Sequence, residues 1–347
     1  MEFGLTSFAE THRDPATGVA ISHGERLRNV LAEIELAEEV GLDVYGLGEH
    51  HRVDMAASSV AVVLGAAAAR TERIRLSSAV IILSSADPVR TYQDFATLDL
   101  LSQGRAELLV GRGSFIESFP LFGYSLSDYD ELFAEKLELL LAIRDNERVT
   151  WSGKFRPPLE DQAVYPRAQQ QPLPVWIGVG GTPASMVRAG QLGLPVALAI
   201  IGGDPARFAT LVKLYRRSLV EAGHDPKSVP LGVHALGHVA DDRDEAIETI
   251  YPGFTATMNK IGRERGWPPL SREQFDWMAS PDGSLIVGDP ETVATKVQRW
   301  CEMLGIDRFL LHTTAGNLPH DVTLRSIELF GNKVAPVVRN RMEKTNG

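Results

Sequence analysis

Residues 73–113 read RIRLSSAVIILSSADPVRTYQDFATLDLLSQGRAELLVGRG, and this stretch decides the fold. Residues 74–83 are almost unbroken in apolar and small types, many of them β-branched. Such a run suits a strand covered on both faces, as strands of parallel sheets are, rather than one alternating between core and solvent. Asp87-Pro88 supplies an N-cap followed by proline at the first helical position, where its missing N–H costs nothing. A helix is predicted over 88–101, stopped near Gly104, and a second buried strand over 106–110. Parallel strands cannot be joined by a tight turn, so the helix between them is the crossover. Ser84-Ser85-Ala86 and Gly111-Arg112-Gly113 follow the two strands, where α/β folds put their chemistry.

The same alternation runs outward from this unit. Further strands are predicted at 3–8, 43–47, 175–179, 195–201, 231–239 and 307–312. Helices are predicted at 24–40, 126–146, 183–192, 205–222, from 242, at 290–304 and at 321–339. A polar loop with Asp14-Pro15 and Gly18 follows the first strand. Eight strands, each followed by helix, imply a parallel sheet covered by helices, and eight such units close most naturally as a barrel. The expected fold is therefore α/β, a single (β/α)8 TIM barrel over residues 1–347 with insertions after some strands. The insertions are a proline-rich excursion at 155–174 and an irregular, mixed segment at 252–284. Excursions of that length serve as lids or binding segments, and 252–284 is the candidate for closing the site.

Composition sets outer limits. At 347 residues, 44% hydrophobic and 23% charged, the chain has the make-up of an ordinary globular protein with a large core. A net charge of -10 argues against nucleic acid or an acidic membrane surface as partner. No apolar stretch reaches the roughly 18 residues a membrane helix needs. The N-terminal residues lack a basic region followed by an apolar run, so no secretory leader is expected. Cys301, the one cysteine, excludes an internal disulfide and fits a reducing compartment. The expected location is the cytoplasm.

Three constellations could carry chemistry. The second strand ends in Gly46-Leu47-Gly48-Glu49-His50-His51. Adjacent residues on an extended backbone point to opposite faces, so one imidazole enters the mouth. It could serve as a base or hydrogen-bond partner, or be a structural histidine at a strand end. The fifth strand runs into Gly178, Gly180, Gly181, Thr182 and Ser185 around Pro183, a glycine-rich turn onto a helix start. Its free N–H groups and hydroxyls fit a phosphate, although short glycine loops also make plain βα turns. The loop Gly111-Arg112-Gly113-Ser114 adds a fixed cation between glycines, again either an anion contact or a surface arginine. A metal site is not expected: His23, His234, His238 and His312 are present, but the His-x-His of metal-dependent barrel hydrolases is absent. Phe8, Phe115, Phe119 and Trp277 are the apolar candidates for the mouth.

Taken together, these motifs give a resemblance to the bacterial luciferase-like flavin-dependent monooxygenases. It is carried by Gly41 to Tyr45 with Glu49-His50-His51, by Asp87-Pro88-Val89-Arg90 and by the run from Leu98 to Arg105. Gly111-Arg112-Gly113, the stretch from Gly288 to Val293, Leu329-Phe330-Gly331 and Val334-Ala335-Pro336 complete it. The resemblance implies a barrel binding FMN at its C-terminal mouth, with reduced FMN as co-substrate alongside dioxygen. It makes His50 the catalytic histidine and puts Ala79-Val80 at a non-proline cis peptide beneath the flavin ring. It assigns Gly111, Arg112, Gly178, Gly180, Gly181, Thr182 and Ser185 to the cofactor. A partly hydrophobic small-molecule substrate, a separate flavin reductase and a homodimer or higher homo-oligomer are implied, without nucleic acid or membrane. The chain departs from the luciferases themselves: Gly111 stands for their reactive cysteine, Asp130 for a phosphate-binding arginine and Gly180-Gly181 for an acid–serine pair. Light emission is not expected. A deazaflavin-dependent reductase or dehydrogenase, and a flavin-binding protein without turnover, are the alternatives.

Overall fold

The computed structural model describes residues 1–13, 18–113 and 115–346; the Asp14-Pro15 loop and Ser114 lie outside them. Eight parallel strands form a closed ring: β1 (Glu2–Ser7), β2 (Val44–Leu47), β3 (Arg75–Ser78), β4 (Ala106–Gly111), β5 (Val175–Val179), β6 (Val196–Ile200), β7 (Leu231–Val239) and β8 (Arg308–His312). Each pairs with its sequence neighbours, and β8 closes on β1 with Glu2 opposite Arg308 and Thr6 opposite His312. The TIM barrel read from the sequence is the fold. Its strands are buried on both faces, which is why their sequences are runs of Val, Ile, Leu and Ala rather than alternations.

Helices α1 (His23–Glu39), α2 (Val60–Ala68), α3 (Pro88–Leu101), α4 (Tyr129–Asp145), α5 (Pro183–Gln191) and α6 (Phe208–Glu221) cover the first six strands. The N-caps act as the sequence predicts. Asp87 accepts from the N–H groups of Val89 and Arg90, at 2.9 and 3.1 Å, with Pro88 behind it. One helix has no periodic signal: α2 reads VAVVLGAAA, apolar on every side, so no stripe marks its buried face.

Four readings change. The stretch 74–83 is not one strand but β3 plus a short continuation, Ile81–Ile82, interrupted at Ala79-Val80, whose peptide bond is cis. Ser78 bridges the interruption, its hydroxyl accepting from the Leu109 N–H at 2.9 Å and donating to the Leu109 carbonyl at 2.8 Å. The segment 252–284 is largely helical. Helix α7 (Arg243–Arg265) carries Pro252 in its interior and ends at left-handed Gly266; α8 (Arg272–Ala279) begins on a Ser271–Gln274 capping box. The excursion 155–174 contains one strand of an antiparallel hairpin, Arg148–Trp151 with Leu159–Ala163. After α9 (Pro290–Leu304) and β8, the expected final helix is α10 (His320–Leu329) and α11 (Ala335–Asn346), joined by a π-helical turn at Phe330–Val334.

Candidate active site at the C-terminal mouth of the barrel

The strand ends enclose a cavity of about 340 Å³, within the size range of small-molecule sites and walled mainly by apolar groups. The β2 end separates its two histidines. Glu49 accepts from the Ile82 N–H at 2.9 Å and from His51 Nε2 at 2.8 Å, which fastens the end of β2 to the continuation of β3 and draws His51 aside against Phe122. His50 turns the other way, its ring between Phe8 and Phe115 with centroids 4.6 and 5.1 Å away. Neither nitrogen of His50 has a hydrogen-bond partner among the described residues, and Nδ1 is fully enclosed. Burial pushes its pKa down to about 4, against the pull of the Glu10 charge, so the ring is neutral at neutral pH.

Ala79 and Val80 line the cavity beside it, tied down by Ala79 N–H to the Leu47 carbonyl (2.7 Å) and Glu49 N–H to the Val80 carbonyl (3.0 Å). The glycines around them have a role the sequence did not disclose. A Cβ on Gly111 would stand 2.9 Å from Val80 Cγ2, and one on Gly178 would stand 2.7 Å from Val80 Cγ1. A Cβ on Gly46 would meet the Ala79 Cβ at 2.8 Å. These glycines make room for Val80 and Ala79 to lie across the mouth; Gly111 and Gly178 still line the cavity. Gly180 faces open space, whereas Gly181 backs onto Phe208 and Ser185 is buried, both away from the cavity.

Arg112 and Thr182 meet where the β4 and β5 loops converge. The guanidinium donates to Thr182 Oγ1 at 3.1 Å and lies over the Tyr129 ring at 5.2 Å. Thr182 caps α5 without using its side chain on the helix, so its hydroxyl is available to the mouth. Arg112 is also bound by Asp130. An anion at this corner must therefore compete with a mostly exposed carboxylate.

Across the barrel lies a cluster the sequence reasoning missed. Glu10, just beyond β1, accepts from His312 Nε2 at 2.8 Å and from the Thr314 hydroxyl at 2.6 Å. His312 Nδ1 is 3.1 Å from Thr6 Oγ1. Burial alone would raise the Glu10 pKa; the neighbouring His312 and the hydrogen bonds overcome it and hold the carboxyl at about 2. His234 on β7 completes the cluster, its ring 5.4 Å from His312 and 6.2 Å from Phe8. The signal that could have found His312 was its place at the C-terminal end of a barrel strand; Glu10 had none. Among the described residues no group of three or more His, Cys, Asp or Glu is placed to hold a metal ion.

The second half of α7 roofs the cavity with Met258, Ile261 and Arg265, followed by Trp267. Its end is held by charge. Arg52 pairs with Glu264 at 2.6 Å and with Glu117, and Lys260 pairs with Asp54. Of the expected apolar lining, Phe8 and Phe115 are present, but Phe119 is buried against Tyr129 and Trp277 lies outside the cavity on α8. Residues 252–284 thus contribute to the roof through α7 and Trp267, not through α8.

A family model described as luciferase-like monooxygenase matches residues 1–308. An F420-dependent glucose-6-phosphate dehydrogenase of Kineococcus radiotolerans is 28% identical, covering 84% of this chain and 85% of that protein. The alkanal monooxygenase alpha chain of Photobacterium leiognathi is 24% identical over 92% of this chain and 95% of its own. The solved structure of a monooxygenase from Streptomyces bottropensis superposes with a TM-score of 0.82 at 25% identity, covering 97% of this chain and 99% of that one.

Proposed function

The chain belongs to the luciferase-like monooxygenase family, whose members use a flavin or the deazaflavin F420, and we propose that this one is an FMN-dependent monooxygenase. The observation that carries the reading is the mouth itself. A shelf at Ala79-Val80, cleared by Gly46, Gly111 and Gly178, lines the same cavity as a neutral histidine without a partner among the described residues. The shelf and the cavity volume fit a tricyclic ring, and the Arg112–Thr182 corner with Gly180 fits its phosphate chain once Asp130 yields.

Bound there, reduced FMN together with dioxygen would supply the oxygenating chemistry. The protein would do the rest. Arg112 and Thr182 anchor the anionic end, and Val80 supports the ring. Phe8, Phe115 and the roof from α7 exclude water, which strengthens every polar contact inside. His50 accepts or delivers a proton at its free nitrogen; its lowered pKa keeps it an acceptor at neutral pH. Reduced FMN reaches the protein from a separate reductase, and the chain acts as one barrel unit, assembled as a homodimer.

A second reading, an F420-dependent dehydrogenase, is favoured by the 28% identity to the Kineococcus enzyme. Both are tested by titrating the protein with reduced FMN and with F420 and following dioxygen uptake. The proposal expects uptake with reduced FMN and an oxygenated organic product. Reduction of F420 by a substrate with no dioxygen consumed would establish the second reading instead. Replacing His50 with Ala should lower turnover by about 10²–10⁴-fold with flavin affinity little changed. Full turnover in that variant would remove its assigned role.

A further inference from the structure

Three histidines face the inner half of the cavity, and they are treated differently. His312 spends both nitrogens inside the protein, on Thr6 and on Glu10. His50 and His234 spend none: no hydrogen bond to either imidazole is made by any described residue, and His50 Nδ1 and His234 Nε2 are enclosed without a partner. Both rings border the same phenyl group, Phe8, and both line the cavity. A buried polar atom left unpaired is costly, and most such atoms in folded proteins have a partner. The other two nitrogens, His50 Nε2 and His234 Nδ1, also lack a partner among the described residues but are not enclosed, and they mark where a ligand's polar group belongs.

The surrounding charges define that group. Burial and His312 hold His234 at a pKa of about 3, so like His50 it offers one N–H and one lone pair but no charge. The ionisable neighbours that act on His234 are His312 and Glu10, and Glu10 has both oxygens committed to His312 and Thr314. The arginines of the cavity, Arg112 and Arg265, come from the β4 loop and the end of α7. A carboxylate, sulfonate or phosphate at His234 would thus face the Glu10 carboxylate, while the nearest basic group, His312, is already committed to that carboxylate and cannot replace the anion's lost water. A carbonyl can accept the imidazole N–H, and a hydroxyl can both donate and accept.

We propose that His234 is a specificity-determining residue which, with His50, receives the carbonyl or hydroxyl oxygen of a neutral, otherwise apolar substrate and rejects anionic ones. The inference rests on the reading of this mouth as an oxidoreductase site. Its test measures binding, not turnover, so the two fail separately.

Cyclohexanone, cyclohexanol and cyclohexanecarboxylate are probes of similar size differing in the polar group. Each is titrated into the wild-type protein while the side-chain ¹⁵N signals of His50 and His234 and the Trp267 fluorescence are followed. The ketone and alcohol should bind and shift the His234 signal, and the carboxylate should bind at least tenfold more weakly. His234→Phe should weaken the ketone at least tenfold, and His234→Gln, which restores a donor and an acceptor, should remain within threefold of wild type. The proposal is overturned if none of the three probes binds, if the carboxylate binds as tightly as the ketone, or if a folded His234→Phe protein keeps wild-type ketone affinity. Should that variant not fold, the wild-type His234 signal decides: no shift on ketone addition overturns it. Binding of reduced FMN and F420, measured on the same preparations, reports on the proposed function alone. Ketone binding without either cofactor defeats that function and leaves the His234 assignment standing; cofactor binding without ketone does the reverse.

Discussion

Burying three imidazoles uncharged couples this protein's stability to pH. His50 and His238 are held at about 4 and His234 at about 3, in each case first by burial, whereas an unfolded histidine titrates near 6.5. Between those values the unfolded chain binds protons the folded chain refuses. The histidines' contribution to stability is therefore full above pH 6.5 and falls as pH drops toward 4, by up to about 1.4 kcal/mol per pH unit for each histidine. Glu10, lowered to about 2, adds its loss only below the ordinary glutamate range. Urea unfolding at pH 7, 6 and 5 should show a decline that starts well above pH 4.5. His238 is buried behind the mouth and does not line the cavity, so His238→Gln isolates the effect. Its stability should depend on pH about one third less steeply over that range; an unchanged slope would refute the assignment. These residues also show what a sequence can disclose about a site. His50 was readable because it ends a barrel strand in a histidine pair. Glu10 was not, because its importance comes from a residue 302 positions away that only barrel closure brings beside it.

At the scale of elements, packing around β3 carries the next expectation. The sequence showed an apolar run at 74–83 but not its interruption at Ala79-Val80, because apolar residues suit a straight strand and an interrupted one equally well. What permits the shelf lies on other strands, in glycines that read as ligand-approach signals and also give clearance to Val80. Gly178→Ala should destabilise the barrel by about 1–3 kcal/mol through contact with Val80 Cγ1. Adding Val80→Ala should recover most of that loss, since the methyl in the way is gone. Gly180→Ala, where a Cβ meets nothing within 4 Å, should leave stability nearly unchanged. Equal effects at 178 and 180, or additive effects in the double variant, would show that the clearance is not the cause. The same reasoning explains α2 and α7. An all-apolar helix has no moment to detect, and a proline with glycines inside 252–284 reads as broken chain although tertiary packing keeps α7 helical through Pro252.

On the scale of the whole molecule, the barrel must be closed at the end opposite the mouth, and charge does the closing there. Arg308, the first residue of β8, is buried and donates to both oxygens of buried Glu107 on β4, at 2.5 and 3.0 Å. It reaches Glu2 on β1 at 2.7 Å and stacks over Trp176 of β5 at 4.3 Å. One side chain thus joins four strands around the axis, and Arg75 of β3 adds a 3.4 Å contact to Glu107. Periodicity places each of these residues at a strand start but cannot say that β4 and β8, nearly opposite in the ring, share an ion pair. Removing one partner leaves a buried charge with only the more exposed Arg75 or Glu2 to face, so Arg308→Met and Glu107→Gln should each cost up to about 3–5 kcal/mol. Replacing the pair together, as Arg308→Met with Glu107→Leu, should restore much of the loss, because the desolvation of both charges is relieved at once. Urea unfolding of the three variants measures this, and a double variant less stable than either single one would overturn the account. Ligand affinity at the mouth should be nearly unchanged in every variant that folds, since the plug sits at the N-terminal ends of strands whose C-terminal ends build the site.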